Sequence, residues 1–439
     1  MTERAYVVGD LHLGAGAGDP LEDFRDDDVF ARFCERIAGP ETTLLLNGDI
    51  IDFAQIAPFD VPKPAYLLWP ATASMIKLET ALAAHADFFA GLRTLLGKGG
   101  RIRFLLGNHD LDMVWPEVQV RMWHALGAPP TEQLAYDIGA HVFHGVHVEH
   151  GHHFTPENCP RDPAAFCYEG PGGELYLERV WGTDFMLQFY NQLERSHPYA
   201  DNVKPMLTVV WHGLRQGWIG GRELVRLFLF LKRRGIPWTG LASALLDEAK
   251  PLTAAGAAAA FDDGAWKQAV LERARQDPGF VAELGTALAE LEPEEQRLAS
   301  APSSVEAALP GPDLAPSASA PGATLGLWRE DRQYRAARER LAAPGVTHVV
   351  FGHTHDVIDG AADLADAPDL VGRLFNYGTW LPSLNLKDAH VRAKLAADGI
   401  SLDLLKDTAL YTADRRAVRI DADPSGYQAK VRLVTPDEA

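Results

Sequence analysis

The stretch Ala5-Tyr6-Val7-Val8-Gly9-Asp10-Leu11-His12 decides how the rest of the chain is read. Four apolar residues of β character run into a glycine, and a carboxylate and an imidazole follow two residues apart. On an extended turn that spacing points both side chains to one side, and the glycine lets the chain bend sharply at the strand end. The same plan recurs downstream. Apolar residues 43–46 lead to Gly48-Asp49-Ile50-Ile51-Asp52, and residues 102–106 lead to Gly107-Asn108-His109-Asp110. Residues 141–149 alternate around Gly145 like a short hairpin and enter His150-Gly151-His152. Residues 346–351 close the set with Gly352-His353-Thr354-His355. Further strand character lies at 374–377, 409–420 and 428–434.

Between the first strands lie helical patterns. Val29, Phe33 and Ile37 repeat at helical spacing after Asp26, Asp27 and Asp28, an acidic start signal. Leu78, Leu82, Phe89, Leu92 and Leu96 form a second stripe, stopped by Gly97, Gly99 and Gly100. His85 falls on that stripe and reads as a packing histidine. From about residue 155 to 340 the pattern changes to long helical segments without strand alternation. The expected organisation is an α/β core of residues 1–155 and 341–439, split by a helical insertion or cap at 156–340. Residues 301–322 carry five prolines and two charges, so a disordered linker is expected over 299–325.

Bulk composition narrows the function classes. Of 439 residues, 47% are hydrophobic and 23% charged, as in a globular protein with a sizeable core. A net charge of −19 repels nucleic-acid backbones, whereas bound cations would reverse the sign locally and admit a small phosphorylated substrate. Three cysteines, Cys34, Cys159 and Cys167, make no disulfide framework and suit a reducing compartment. Residues 5–8 are too short for a signal-peptide core, and no uncharged apolar run reaches the roughly 18 residues of a membrane span. A cytoplasmic location is expected.

The donor set of the five blocks is imidazole, carboxylate and one amide oxygen, which suits Mn²⁺, Fe²⁺ or Zn²⁺. A carboxylate shared by two ions about 3.5–4 Å apart serves in-line displacement at phosphorus. Together, in this order and each after a strand, the blocks resemble the calcineurin-like metallophosphoesterase superfamily. Its pattern runs D-x-H, G-D-x-x-D, G-N-H-(D/E), a histidine with glycine, then G-H-x-H, and every block is matched here. The resemblance covers the core on both sides of the insertion. It implies a four-layer αββα sandwich interrupted by a large helical insertion, and a metal-dependent phosphoric ester hydrolase. Asp10, His12 and His355 would hold one divalent metal ion and Asn108, His150 and His353 a second, with Asp49 bridging. A hydroxide shared by the two metals would attack a phosphomonoester, phosphodiester or pyrophosphate. The catalytic pair would be His109, stabilising the transition state or protonating the leaving oxygen, and Asp52, orienting it. Asp110 reads as a turn or supporting residue. His152 and Lys204 are candidate substrate-phosphate contacts.

Residues 107–115, 149–152 and 201–205 are similar to phrases of large bacterial members compared with the hydrolases that cleave UDP-2,3-diacylglucosamine. Those enzymes hold acyl chains in a helical insertion, so a lipid pyrophosphohydrolase is the alternative. The lipid branch has Gly-Asn-Arg-Asp at the third block, however, and this chain has His109. Within the insertion, Leu224, Leu227, Phe228 and Leu231 form one helical stripe, while Val225, Leu229 and Phe230 cover the rest. Lys232, Arg233 and Arg234 before Gly235 are a stop signal, and Trp211, Trp218 and Trp238 flank the segment. It reads as a buried cap helix, or as an acyl-chain lid or peripheral membrane patch. A nuclease is disfavoured by the acidic balance. A metal-degenerate binding scaffold would be expected to lose ligands, and here every position is filled.

Overall fold

The structure, a computed structural model, describes residues 3–62, 66–127, 133–155, 158–160, 166–170, 172–195, 202–204, 213–214, 217, 219–233, 272–290, 329–360, 364, 367–385, 391, 394, 408–422 and 429–439. It is a mixed α/β protein. The chain divides into two compact units, one of Met1–Leu187, Asp331–Pro382 and Thr412–Ala439, the other of Gln188–Glu330 and Ser383–Tyr411.

In the first unit, strand β1 (Arg4–Val8) is followed by helix α1 (Asp27–Ile37), β2 (Thr42–Asn47), α2 (Ala71–Ala84), α3 (Ala86–Gly97), β3 (Arg101–Leu105), α4 (Pro116–Leu126) and β4 (Leu134–Asp137). These four strands run parallel in sequence order. Antiparallel β14 (Ala417–Ala422) and β15 (Ala429–Val434) extend the sheet beyond β1, giving the order β15-β14-β1-β2-β3-β4. A second sheet has the order β11-β12-β10-β6-β5, from β5 (Ala140–Phe143), β6 (Val146–Glu149), β10 (His348–Phe351), β11 (Val357–Ile358) and β12 (Leu374–Tyr377).

Alternation along the strands explains the packing. Val8, Leu44, Leu46, Ile102 and Phe104 join a core with Phe30, Phe33, Phe88, Leu92, Val118 and Met122 of α1, α3 and α4. Their neighbours Ala5, Val7, Leu45 and Leu105 join Val146, Val148, Val350, Phe375 and Tyr377 of the second sheet. Strands buried on both faces read as continuous apolar runs, and every residue of β2 is buried. The far face of the second sheet, with Val349, Phe351 and Leu374, packs on Ala336 and Ala337 of the helix Arg329–Leu341.

Register sets the strand ends level. Val8 pairs with Leu46 and Asn47 with Leu105 in the first sheet, and Val350 pairs with Val148 and Phe351 with Asn376 in the second. The loops after β1, β2, β3, β6, β10 and β12 therefore emerge at one edge of each sheet. Asn47 Nδ2 donates to the Glu149 carbonyl at 3.1 Å and ties the two edges together.

Several expectations change. The stripe over 78–96 is two helices, broken at His85, whose ring is drawn toward Glu22 and Asp27. Strand-free helix was expected beyond residue 155, yet β7 (Cys167–Glu169) and β8 (Leu175–Leu177) form an antiparallel pair. Gly172 and Gly173, at φ 97° and 83°, supply the left-handed turn between them. Strand β4 was not anticipated. The strand expected over 409–420 begins only at Ala417, after a 3₁₀ turn at Thr408–Leu410.

In the second unit, β9 (Val203–Lys204) pairs with β13 (Leu384–Asn385). The helix Gly221–Arg233 packs against Pro278–Ala289 through Val225, Leu229 and Ala287. Leu224 and Leu227 are also buried, while Arg222 and Arg226 are exposed. The side chains of Phe228, Phe230, Leu231, Lys232 and Arg233, together with Trp211, Trp218, Arg234, Gly235, Trp238 and the whole 299–325 stretch, lie outside the described residues. Among the described residues no helix is long and apolar enough to cross a membrane.

Candidate metal centre

The backbone marks the site before the side chains do. Seven described non-glycine residues have positive φ, and five of them are Asp10, His12, Asp49, His353 and His355. Left-handed backbone costs such residues roughly 1–2 kcal/mol each and concentrates where function over-determines geometry. Beyond β1 and β2 the two loops stay paired: Leu11 and His12 N–H groups donate to the Asp49 carbonyl, both at 2.9 Å, and Asp52 N–H donates to Leu13. Asp10 and Asp49 are thus held side by side.

Among the described residues, three groups of side chains have ligand atoms mutually close enough to hold a metal ion: Asp10, His12 and His355; His12, Asp52 and His109; Asp49, His150 and His353. They form one continuous cluster. His355 Nε2 lies 3.2 Å from Asp10 Oδ1 and 3.2 Å from His12 Nε2. Asp49 Oδ2 lies 3.7 Å from His12 Nε2 and 3.1 Å from His150 Nε2. Second partners fix the tautomers. His150 Nδ1 faces the Asn47 carbonyl at 2.8 Å and must donate there, which leaves Nε2 as the atom turned toward Asp49. His12 Nδ1 likewise donates to Asp52 Oδ2 at 3.0 Å, turning Nε2 toward His355 and Asp49.

The residues present fit a cation on chemical grounds. Two imidazole Nε2 atoms 3.2 Å apart need a proton or a cation between them. His150 Nε2 and Asn108 Oδ1 are buried without a directed hydrogen bond. Buried polar atoms rarely go unpartnered, and such exceptions point to an ion or water. Burial opposes ionisation of Asp10 and Asp49, yet His150 with the other nearby imidazoles holds both below the ordinary carboxylate range, Asp49 well below it. Burial pulls His150 down, but Asp49 and Asp10 outweigh it and raise the ring to about 9. A divalent cation competes for the same electron pairs and displaces that proton.

His109 sits at the rim of this cluster. Its backbone N–H donates to Asp49 Oδ1 at 2.9 Å, and its Nδ1 lies 2.7 Å from Asp52 Oδ2. Burial works against its protonation, but Asp52 and Asp49 prevail and raise it to about 10. Asp52 is held well below the usual range by His109 and His12, against burial. Its other oxygen accepts from the Ala54 and Gln55 N–H groups at 3.0 and 3.1 Å. Asp110 points away, accepting from Ile50 and Gly107 N–H at 2.8 and 2.6 Å, and burial with Asp49 pushes it up. It is a turn clasp.

Of the substrate contacts expected, His152 is buried with neither ring nitrogen partnered, its ring 5.4 Å from that of His150 and 6.4 Å from that of His353. Lys204 has its backbone in β9 of the second unit, and its side chain lies outside the described residues.

Several supporting residues went unread in the sequence. Thr155 Oγ1 lies 2.9 Å from His353 Nε2 and fixes that ring. Tyr377 donates to the Asn47 carbonyl at 3.0 Å, and Thr379 Oγ1 donates to the Asp10 carbonyl at 2.7 Å. Asn376 Nδ2 donates to the Gly352 carbonyl at 3.0 Å. Gly352 and Gly9 leave no room for a Cβ because the Tyr377 hydroxyl occupies that space. Asn376 and Tyr377 are the last two residues of β12, and Gly378 and Thr379 follow it, so their polar groups begin inside the strand rather than after it.

No protein-family model matches the chain, and no match is found among curated proteins.

Proposed function

We propose that this chain is a metal-dependent phosphoric ester hydrolase with a dinuclear centre. In this reading its two sheets and flanking helices form the four-layer αββα sandwich of the calcineurin-like metallophosphoesterases. The observation that carries it is the placement of Asp49, whose Oδ2 lies between His12 Nε2 at 3.7 Å and His150 Nε2 at 3.1 Å. A carboxylate shared by two neighbouring ligand groups is what a two-ion site requires.

Asp10, His12 and His355 would hold one ion, and Asn108, His150 and His353 the other. When bound, two divalent ions supply Lewis acidity toward phosphoryl oxygens and an activated water. The chain's own groups do the rest. The Asp52 carboxylate, 2.7 Å from His109 Nδ1, favours the protonated ring, so its imidazolium would present positive charge to a phosphoryl group and a proton to a leaving oxygen. The Asn47 carbonyl and Thr155 hydroxyl orient the His150 and His353 rings. Substrates within this reading are a phosphomonoester, a phosphodiester or a pyrophosphate, of a small metabolite or a lipid.

The test is metal analysis of the purified chain beside hydrolysis assays in manganese-supplemented buffer. Substrates are an aryl phosphomonoester, an aryl phosphodiester and a UDP-linked diacyl sugar. About two ions per chain with turnover is the expected result, and preference for the diacyl sugar would select the lipid pyrophosphohydrolase. Absence of both metal and turnover after reconstitution would overturn the reading in favour of a binding scaffold.

A further inference from the structure

Behind the Asp52 turn lies a buried lysine. Lys77 is on the inward face of α2 with Ser74, Leu78 and Ala81, and none of its surface is exposed. Its Nζ donates to the Phe53 carbonyl at 2.9 Å and to the Ile56 carbonyl at 2.5 Å. The Trp69 ring lies 3.6 Å from the same nitrogen, close enough for a cation–π contact. The nearby carboxylate is Asp112, buried three residues after His109, which accepts from Trp69 Nε1 and Ser74 Oγ. Burial pulls Lys77 down, with Asp112 and Asp52 pulling the other way, and burial pushes Asp112 up. An amine and an ammonium both donate to two carbonyls, so the clamp holds in either form.

Taking an ammonium out of water costs several kcal/mol even after relaxation, and an apolar side chain of similar volume is often the more stable occupant. The lysine's contacts show what it holds in return. It grips the two carbonyls of the turn whose Ala54 and Gln55 N–H groups fasten Asp52 Oδ1. With that oxygen fastened, Oδ2 is turned to His12 Nδ1 at 3.0 Å and His109 Nδ1 at 2.7 Å. The Phe53 N–H also donates to the His109 carbonyl, at 3.2 Å. Lys77 and Asp112 thus brace the two loops that bring Asp52 and His109 together.

We propose that Lys77 is a positioning residue for Asp52 and His109, setting the orientation of that pair without holding the metal ions. The functional part of this rests on the esterase reading. Lys77→Met should keep the bound-metal stoichiometry and leave KM within about twofold, while kcat falls roughly tenfold to a hundredfold, as for a sub-ångström to ångström misplacement of a reacting group. In an Asp52→Asn background the same substitution should cause no further loss, because the group it positions is already gone. A merely structural role would multiply the two losses. Amide hydrogen exchange by mass spectrometry gives a readout that needs no turnover: in the metal-loaded Lys77→Met chain, the peptide over residues 53–56 should exchange faster while that over β1 is unchanged.

Unaltered exchange at 53–56 would overturn the proposal, as would wild-type kcat or full multiplicativity with Asp52→Asn. If Lys77→Met fails to fold, the paired change Lys77→Met with Asp112→Asn removes both charges and is read in the same way. A wild-type chain that hydrolyses nothing would sink the esterase reading, and the exchange result would still decide whether Lys77 holds the turn.

Discussion

The Asp10 carboxylate accepts the backbone N–H of His353 with both of its oxygens, at 3.0 and 3.1 Å. These residues stand at the ends of β1 and β10, in different sheets, so one side chain both offers ligand oxygens and joins the two strand ends. Asp10→Ala is therefore expected to lose bound metal and also to leave a buried N–H unpaired, at about 1–3 kcal/mol. Metal analysis and urea denaturation of the same preparation would register both. Full metal content in the variant would remove Asp10 from the ligand set.

Replacing Asp49 with Ala should lower bound metal from about two ions per chain to one or none. In the proposed reading it is the bridging carboxylate, and it lies 3.1 Å from His150 and 3.7 Å from His12. Unchanged stoichiometry would refute the shared position.

In the esterase reading, His109→Ala separates binding from chemistry. Its ring is anchored on Asp52, so metal content should stay nearly intact while turnover falls by roughly 10²–10⁴-fold, the usual contribution of a general acid. Full activity on the natural substrate would show that the assigned role is wrong.

Tyr377→Phe removes a hydroxyl that donates to the Asn47 carbonyl, the same oxygen that takes His150 Nδ1. Groups one step behind metal ligands typically contribute about 10- to 100-fold in affinity. A loss of that order should appear in metal titration of the variant, and none would appear if the phenol only fills space.

His85 sets a dependence of stability on pH. Its ring lies 3.1 Å from Glu22 and 3.0 Å from Asp27, and those carboxylates outweigh burial to raise it from 6.5 to about 9. A folded pKa above the unfolded one means that the stabilisation is complete below about 6.5 and is lost as pH rises through 9. The amount is about 3 kcal/mol. Denaturation at pH 6, 8 and 10 should show this fall in the wild type and a weaker one in His85→Asn. Parallel profiles for the two proteins would dismiss it.

What could be read from sequence followed one rule. Apolar runs ending in glycine and a ligand-type residue gave β1, β2, β3 and β10, alternation around Gly145 gave the hairpin that contains β6, and the structure brings Asp10, His12, Asp49, His150, His353 and His355 together at their ends. The rule works because parallel core strands are apolar throughout and their polar residues begin where the strand stops. It fails where tertiary partners decide. Nothing local in Ala84-His85-Ala86 breaks a helix; Glu22 and Asp27, some sixty residues away, do. Lys77 on an apolar helix face is silent in the sequence because its partners are carbonyls, which carry no sequence signal. The pairing of β7 with β8 rests on a glycine turn too short to register against a helical background.

Sheet order has a consequence for synthesis. β1 sits between β2 and β14, and β6 between β5 and β10, so two central strands wait for partners made much later. At roughly 5–20 residues per second on the ribosome, the interval between His150 and His353 lasts on the order of ten to forty seconds. Throughout it the nascent chain exposes two unpaired strand edges, the kind of surface that recruits other chains. Asp10, Asp49 and His150 already exist then, but the histidines that complete their groups do not. Closing the sheets and completing the groups that could hold an ion are in this chain one late event.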